Sequence, residues 1–241
     1  MTKSLRLFLF LTAAVAAVAL GGAARAVACG NSNGYSYAGI GAPTHAYGVS
    51  ALIAPLNAFD VLNGHVAGWV GVGGPGEGPN GSNEWIQVGY AGFPSITGSD
   101  IYYEVAAPGR FPTYHQVSAG LGIGTLTKVT VLEMYGRENW WRVWVNHHPV
   151  SPPIRLPGSH DAWTPIATAE SWDGGTGGTC NTFLYRFRRV TVAQAPGGGW
   201  HQLTGGFPIQ SAATRIQRAR GSSGFLAAEG RPAFQLLGAT S

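Results

Sequence analysis

Apolar and polar residues alternate in short runs along most of this chain, and glycine, proline or asparagine interrupts each run. Alternation with period two puts successive side chains on opposite faces of a strand. It predicts strands at 65–72, 84–90, 99–105, 128–135, 140–146, 166–172 and 182–192, with a later pair at 213–218 and 224–228. The segments between them, such as PGEGPNGSN, APGRFP and DGGTGGTCN, hold the residues that tight turns need for fixed or positive φ. Short, evenly spaced strands of this kind read as an all-β sandwich or jelly roll. No internal repeat is present, and the stretch from Ala195 is lower in complexity.

The parity of four strands carries more information. Val70 and Val72, Ile86 and Val88, Ile101, Tyr103 and Val105, and Trp141, Val143 and Val145 form the apolar sides. The opposite sides present Trp69, Gly71 and Gly73; Trp85, Gln87 and Gly89; Asp100, Tyr102 and Glu104; and Trp140, Arg142, Trp144 and Asn146. A solvated sheet face is usually rich in Lys, Glu, Thr and Ser. Trp, Tyr, Gly and a few acids suit the floor of a groove for an extended polymer, and they also suit a face covered by the protein's own loops.

Gly71 to Gly76 fits G-x-G-x-x-G, a pattern shared with dinucleotide loops. Such a loop must open a helix whose free N–H groups hold the phosphates. EGPNGSNEW follows instead, with no helical period, and Pro75 lacks an N–H. The segment is therefore a strand running into a turn, and its outward glycines let another group approach the backbone.

Composition then sets the compartment and the partners. Lys3 and Arg6, the apolar run Leu7–Leu20 and Ala24-Arg25-Ala26 spell a secretory signal peptide over residues 1–26. The apolar run is too short to span a bilayer, and no other segment is long enough. The expected organisation is an N-terminal extension over 27–60, leaving open whether a pro-segment is removed, and a β-sandwich over 61–241. The expected location is secreted, extracellular or periplasmic. Without Lys3, Arg6 and Arg25 the chain has 12 basic and 11 acidic residues. The surplus sits near the end, at Arg215, Arg218, Arg220 and Arg231, and no dense basic face of the sort nucleic-acid binding needs is evident. Cys29 and Cys180 are expected to pair in an oxidising compartment, with lipidation of Cys29 as the alternative. The chain is expected to act as a monomer.

Several catalytic patterns fail on context. Gly30-Asn31-Ser32-Asn33-Gly34 spells G-x-S-x-G but has no strand before it. His147 and His148 are neighbours and point to opposite faces. His160-Asp161 reads as a turn or surface contact. No metal or cofactor is implied. Among the few carboxylates, Glu104 and Glu170 stand out, each in an aromatic, weakly charged segment.

Four pieces then carry a resemblance: GWVGV from Gly68, WIQVG from Trp85, DIYYE from Asp100, and Ala169-Glu170. Their order and spacing resemble the glutamic peptidases called eqolisins, with W-V-G-I, L-Q-T-G, D-x-W-Y-E and A-E in sequence. The similar region spans about half the chain. The resemblance implies a concanavalin-like β-sandwich of two curved antiparallel sheets, a polypeptide substrate, and no cofactor. It implies Gln87 and Glu170 as the catalytic pair: Glu170 as general base on water, Gln87 as stabiliser of water and oxyanion. Asp100 and Glu104 would support the site. Trp69 would line the cleft, and by parity Tyr102, Trp140 and Trp144 join it. A Glu side chain ordinarily titrates near ~4.3, so such a base works best in acid. Gly73 stands where the family has Asp. The rival reading is a lectin-like module that binds polysaccharide on Trp69, Tyr102, Trp140 and Trp144. A third is a glycosidase using Glu104 and Glu170, which would need carboxyls ~5 Å or ~6.5–9.5 Å apart.

Overall fold

The computed structural model describes residues 33–176, 181–218 and 223–230. Cys29, Cys180 and the signal segment lie outside the described residues, so the disulfide and the leader are not visible in it. The described chain is all β, apart from a single 3₁₀ turn at Pro79–Gly81. Sixteen strands form two antiparallel sheets packed face to face.

The first sheet has the order β14 (Phe207–Gln210), β1 (Tyr35–Gly41), β11 (Ile166–Trp172), β3 (His65–Gly74), β4 (Glu84–Gly92), β5 (Ser99–Ala106) and β6 (Thr113–Leu121). The second has the order β10 (Ile154–Arg155), β8 (Trp140–Val145), β7 (Thr127–Glu133), β2 (Gly48–Pro55), β12 (Phe183–Ala195), β16 (Phe225–Glu229) and β15 (Thr214–Arg218). Two short strands flank it: β13 (Gly198–Gln202) pairs with β12, and β9 (His148–Pro149) pairs with β8.

Alternation builds the core between the sheets. Val66, Val70, Val72, Ile86, Val88, Tyr90 and Ile101 point inward from the first sheet. Val49, Ile53, Val129, Val131, Trp141, Val143, Phe183, Tyr185 and Phe187 meet them from the second. The side chains that alternate with these point outward, so each sheet has its own outer face. The Tyr90 hydroxyl, inside this core, is satisfied by the Thr125 carbonyl at 2.7 Å and by Thr127 Oγ1 at 2.6 Å.

Two expectations change here. Residues 27–60 do not form a separate extension where they are described. β1 pairs with β11 and β14, and β2 lies mid-sheet between β7 and β12, so the sandwich begins near Tyr35 rather than at 61. Trp140 and Trp144 do not share a groove with Trp69 and Tyr102. They lie on β8 in the second sheet, pointing outward, while Trp69 and Tyr102 face out from the first. Parity identified which side of its strand each residue takes, but both sheets have an outward side. Within the stretch after Ala195, the described segments 198–202, 207–210, 214–218 and 225–229 join the sheets as β13 to β16.

Glu84 begins β4 with 0% exposure, and neither carboxyl oxygen has a hydrogen-bond partner. Burial pushes its carboxyl from 4.5 up to about 7. The folded chain thus holds a proton that the unfolded chain releases, and stability from this group falls as pH rises from 4.5 to about 7. Glu84→Gln is expected to raise the melting temperature at pH 8 by a few degrees, at about 2–4 °C per kcal/mol, with little change at pH 4. Thermal unfolding at both pH values checks this, and an equal shift at both would contradict it.

Candidate active site

The outer face of the first sheet holds a cleft of about 540 Å³. Strand β3 runs along its floor and turns Ala67, Trp69 and Gly71 toward it, by the same alternation that sends Val66, Val70 and Val72 to the core. Gln87 on β4 lies directly opposite Gly71, and Glu170 on β11 lies directly opposite Ala67. The two side chains therefore flank the same strand on the same face, offset by four residues around the Trp69 indole, and both line the cleft. Gly71 makes room for one of them: a Cβ at that position would lie 2.8 Å from the Gln87 Cβ.

Each of the two polar groups is held by a neighbour. Gln87 Nε2 donates to the Tyr102 hydroxyl at 2.9 Å. With its amide placed that way, the Gln87 side chain is fixed by a phenol that is itself buried and stacked on Tyr114 at 5.0 Å. Glu170 is 6% exposed, and its Oε1 lies 3.3 Å from His65 Nε2. The His65 ring is wedged among Tyr35, Phe93 and Trp172, with centroids 5.8–6.3 Å away. The strand that carries His65 is tied down from behind. Asn181, fully buried, accepts from the Leu62 amide and donates to the Asn63 and Trp172 carbonyls.

Glu104, opposite Gln87 on the other flank of β4, accepts from Trp85 Nε1 at 2.9 Å. Burial raises its carboxyl above the usual range and the Glu170 charge adds to this, while the Trp85 hydrogen bond and His65 act the other way. The phenols shift in the same sense. Burial, with the Glu170 and Glu104 charges, pushes Tyr35 up to about 12, and Tyr37 and Tyr102 rise as well. All three stay neutral at any working pH and offer O–H groups rather than charge.

The remaining expected residues are placed as follows. Trp69 and Glu104 line the cleft. Tyr102 packs with Trp69, Ala67 and Ala91 beneath it. Asp100 shares this face farther along β5, where Gln116 Nε2 donates to it at 2.7 Å. Trp140 and Trp144 lie on the opposite side of the molecule, and the Arg137 guanidinium covers Trp140 at 4.3 Å. The lectin-like groove of four aromatics therefore does not exist as one surface. His160, expected at a surface contact, has Nδ1 3.0 Å from the fully buried Glu133 carboxylate. Among the described residues no group of three or more His, Cys, Asp or Glu could hold a metal ion.

The sequence reading passed over His65, Tyr35 and Tyr37. His65 has the parity of Trp69, so the alternation already placed it on this face. The two tyrosines lie in a segment read as an extension, although Y-S-Y carries the same period.

Comparison with known proteins follows from this geometry. No protein-family model matches the chain, and no curated protein matches it. Among solved structures, it is similar to scytalido-glutamic peptidase with a transition state analog inhibitor, at a TM-score of 0.57 and 13% identity, covering 82% of this chain and 98% of that one. It is similar to scytalido-glutamic peptidase with a peptide-based transition state analog at a TM-score of 0.52 and 14% identity, covering 81% and 98%. The chain has a glutamic-peptidase-like fold. At this identity the likeness is one of architecture.

Gly73 completes the site's rim. It has φ +78, and a Cβ there would run into the Glu84 carbonyl oxygen. The end of β3 thus has no room for the Asp that the resemblance led us to expect at this position. The turn is pinned instead by Trp163 Nε1 donating to the Glu77 carbonyl at 3.2 Å. Gly73→Asp is expected to lower stability by about 1–3 kcal/mol and not to increase activity. Chemical denaturation checks this, and a variant as stable as the parent would show that the turn accepts a side chain.

Proposed function

We propose that the protein is a secreted, acid-acting glutamic endopeptidase in which Glu170 and Gln87 perform the chemistry. The observation that supports this is their common cleft on a glutamic-peptidase-like fold, with both side chains flanking Trp69. A peptide laid across the sheet meets a carboxylate, an amide and neutral phenols. Glu170 takes a proton from water as the water oxygen bonds to the scissile carbonyl carbon. The carbonyl oxygen becomes an oxyanion and accepts from the Gln87 amide, whose N–H is held in place before reaction. Glu170 then passes the proton to the departing nitrogen as the C–N bond breaks. His65 occupies one Glu170 oxygen and leaves the other for water. It acts as a positioning residue.

Hydrolysis of a denatured protein at about pH 3–5 tests the assignment. Glu170→Gln is expected to abolish cleavage, and Gln87→Ala to cost roughly 10² to 10³ in rate. His65→Gln, which can still donate to the carboxylate, is expected to retain more kcat than His65→Ala, with KM changed little in either. Equal activity in the parent, Glu170→Gln and Gln87→Ala would end the catalytic assignment.

A further inference from the structure

The described molecule has a second depression besides the cleft above. It covers about 810 Å³ on the outer face of the second sheet, on the far side of the core. Its floor is formed by outward residues of β2, β7 and β8: Ser50 and Leu52, Thr130 and Leu132, and Trp144. One wall is the β12–β13 hairpin, which raises Trp200 to 39% exposure. The other is the turn after β8, where Asn146 and His147 have φ 47 and 68 and Asn146 Oδ1 caps the Lys128 amide at 3.0 Å.

The charge on this face is one-sided. Lys128, Arg189 and His147 line the depression. Arg188 lies directly opposite Leu52 and Arg186 opposite Ala54 on the same outward side, and Arg142 alternates with the core residues Trp141 and Val143. The strands of this sheet carry two carboxylates, Glu133 and Glu229, and both are buried, at 0% and 1% exposure. Glu133 faces His160, and Glu229 takes the Ser36 hydroxyl. Among the described residues the outward strand positions of this face thus carry cations and no carboxylate, while Glu77, Glu104 and Glu170 line the cleft on the other sheet. Cations scattered from 128 to 189 in sequence converge because their strands lie side by side, which no linear basic run announces.

We propose that this depression binds a carboxylate-bearing polysaccharide, separately from the peptidase cleft. Its two indoles, Trp144 and Trp200, offer the flat apolar surface on which sugar rings stack, and Arg142 lies 5.9 Å over the Trp144 ring on one side. Lys128 and Arg189 supply the cations for carboxylates spaced along the polymer, and the His147 ring lines the depression beside them. Two lining cations, Lys128 and Arg189, favour this over nucleic acid, whose binding rests on neutralising many successive phosphates. Held this way, the protein would act while anchored to an acidic polysaccharide matrix, with the catalytic face pointing away from the anchor.

The probe is polygalacturonate, titrated calorimetrically into the full-length mature protein at pH 5, in low and moderate salt. Saturable binding is expected, weakening at least tenfold as salt rises from about 50 to about 300 mM. Trp200→Ala, and Lys128→Gln combined with Arg189→Asn, are each expected to weaken it at least tenfold. Asn is chosen because the backbone at 189 is left-handed, with φ 49. Unchanged melting temperatures show that the variants fold, and Glu170→Gln is expected to bind like the parent. No binding in low salt would overturn the proposal, as would binding unaffected in both variants. Tighter binding of a single-stranded DNA oligomer or of anionic vesicles through the same residues would also overturn it.

Discussion

The site depends on the packing of β3 between β11 and β4. Three consecutive outward positions of that strand are Ala67, Trp69 and Gly71, and the register places Glu170 beside the first and Gln87 beside the last. The small residues leave space where the two polar side chains stand, and the indole fills what lies between. Shifting either pairing by one residue would turn the whole neighbouring strand over, sending its polar side chain into the core. The core residues of those neighbours, Ile86 and Val88 on β4 and Ala167 and Ala169 on β11, forbid that slip, because it would expose them and bury an amide or a carboxylate. The register that folds the sheet thus also brings Glu170 and Gln87 to one cleft.

Burial then shapes the electrostatics. The protein holds many of its few carboxylates out of water, and they do not behave alike. Glu133 and Glu170 each have an imidazole, Glu229 a serine hydroxyl, Glu104 an indole N–H, and Glu84 no partner. The two imidazole pairings differ in location. Glu133 and His160 close one end of the second sheet, whereas Glu170 and His65 open onto a cleft. Surrounding phenols, kept neutral by burial, line that cleft without competing for protons.

Much of this architecture is legible in the chain, and the parts that are not have physical causes. Strands β3, β4, β5 and β11 show clean alternation and were found nearly to the residue. Beyond Tyr35-Ser36-Tyr37, β1 and β2 (YSYAGIG and GVSALIAP) pack small or apolar residues on both sides and are buried almost throughout, which cuts the period-two signal short. β6 fails for the opposite reason: as an exposed edge strand it has little apolar face to show. Parity also cannot say which of two sheets a strand joins, so Trp140 and Trp144 were grouped with Trp69 and Tyr102. His65 stood at the first position of its predicted strand, where a boundary residue draws less notice than its neighbours. The cationic outer face was invisible because strands far apart in sequence assemble it.

In the proposed mechanism one solvent molecule, or the tetrahedral centre that replaces it, bridges the Gln87 amide and the Glu170 carboxylate. A crystal structure with a peptide analogue bearing a tetrahedral hydroxyl group tests this directly. That hydroxyl is expected within about 2.6–3.2 Å of both Gln87 Nε2 and a Glu170 oxygen, with His65 still on the other oxygen. An analogue seated elsewhere, or one bound in the cleft with Gln87 and Glu170 too far apart to share an atom, would contradict it.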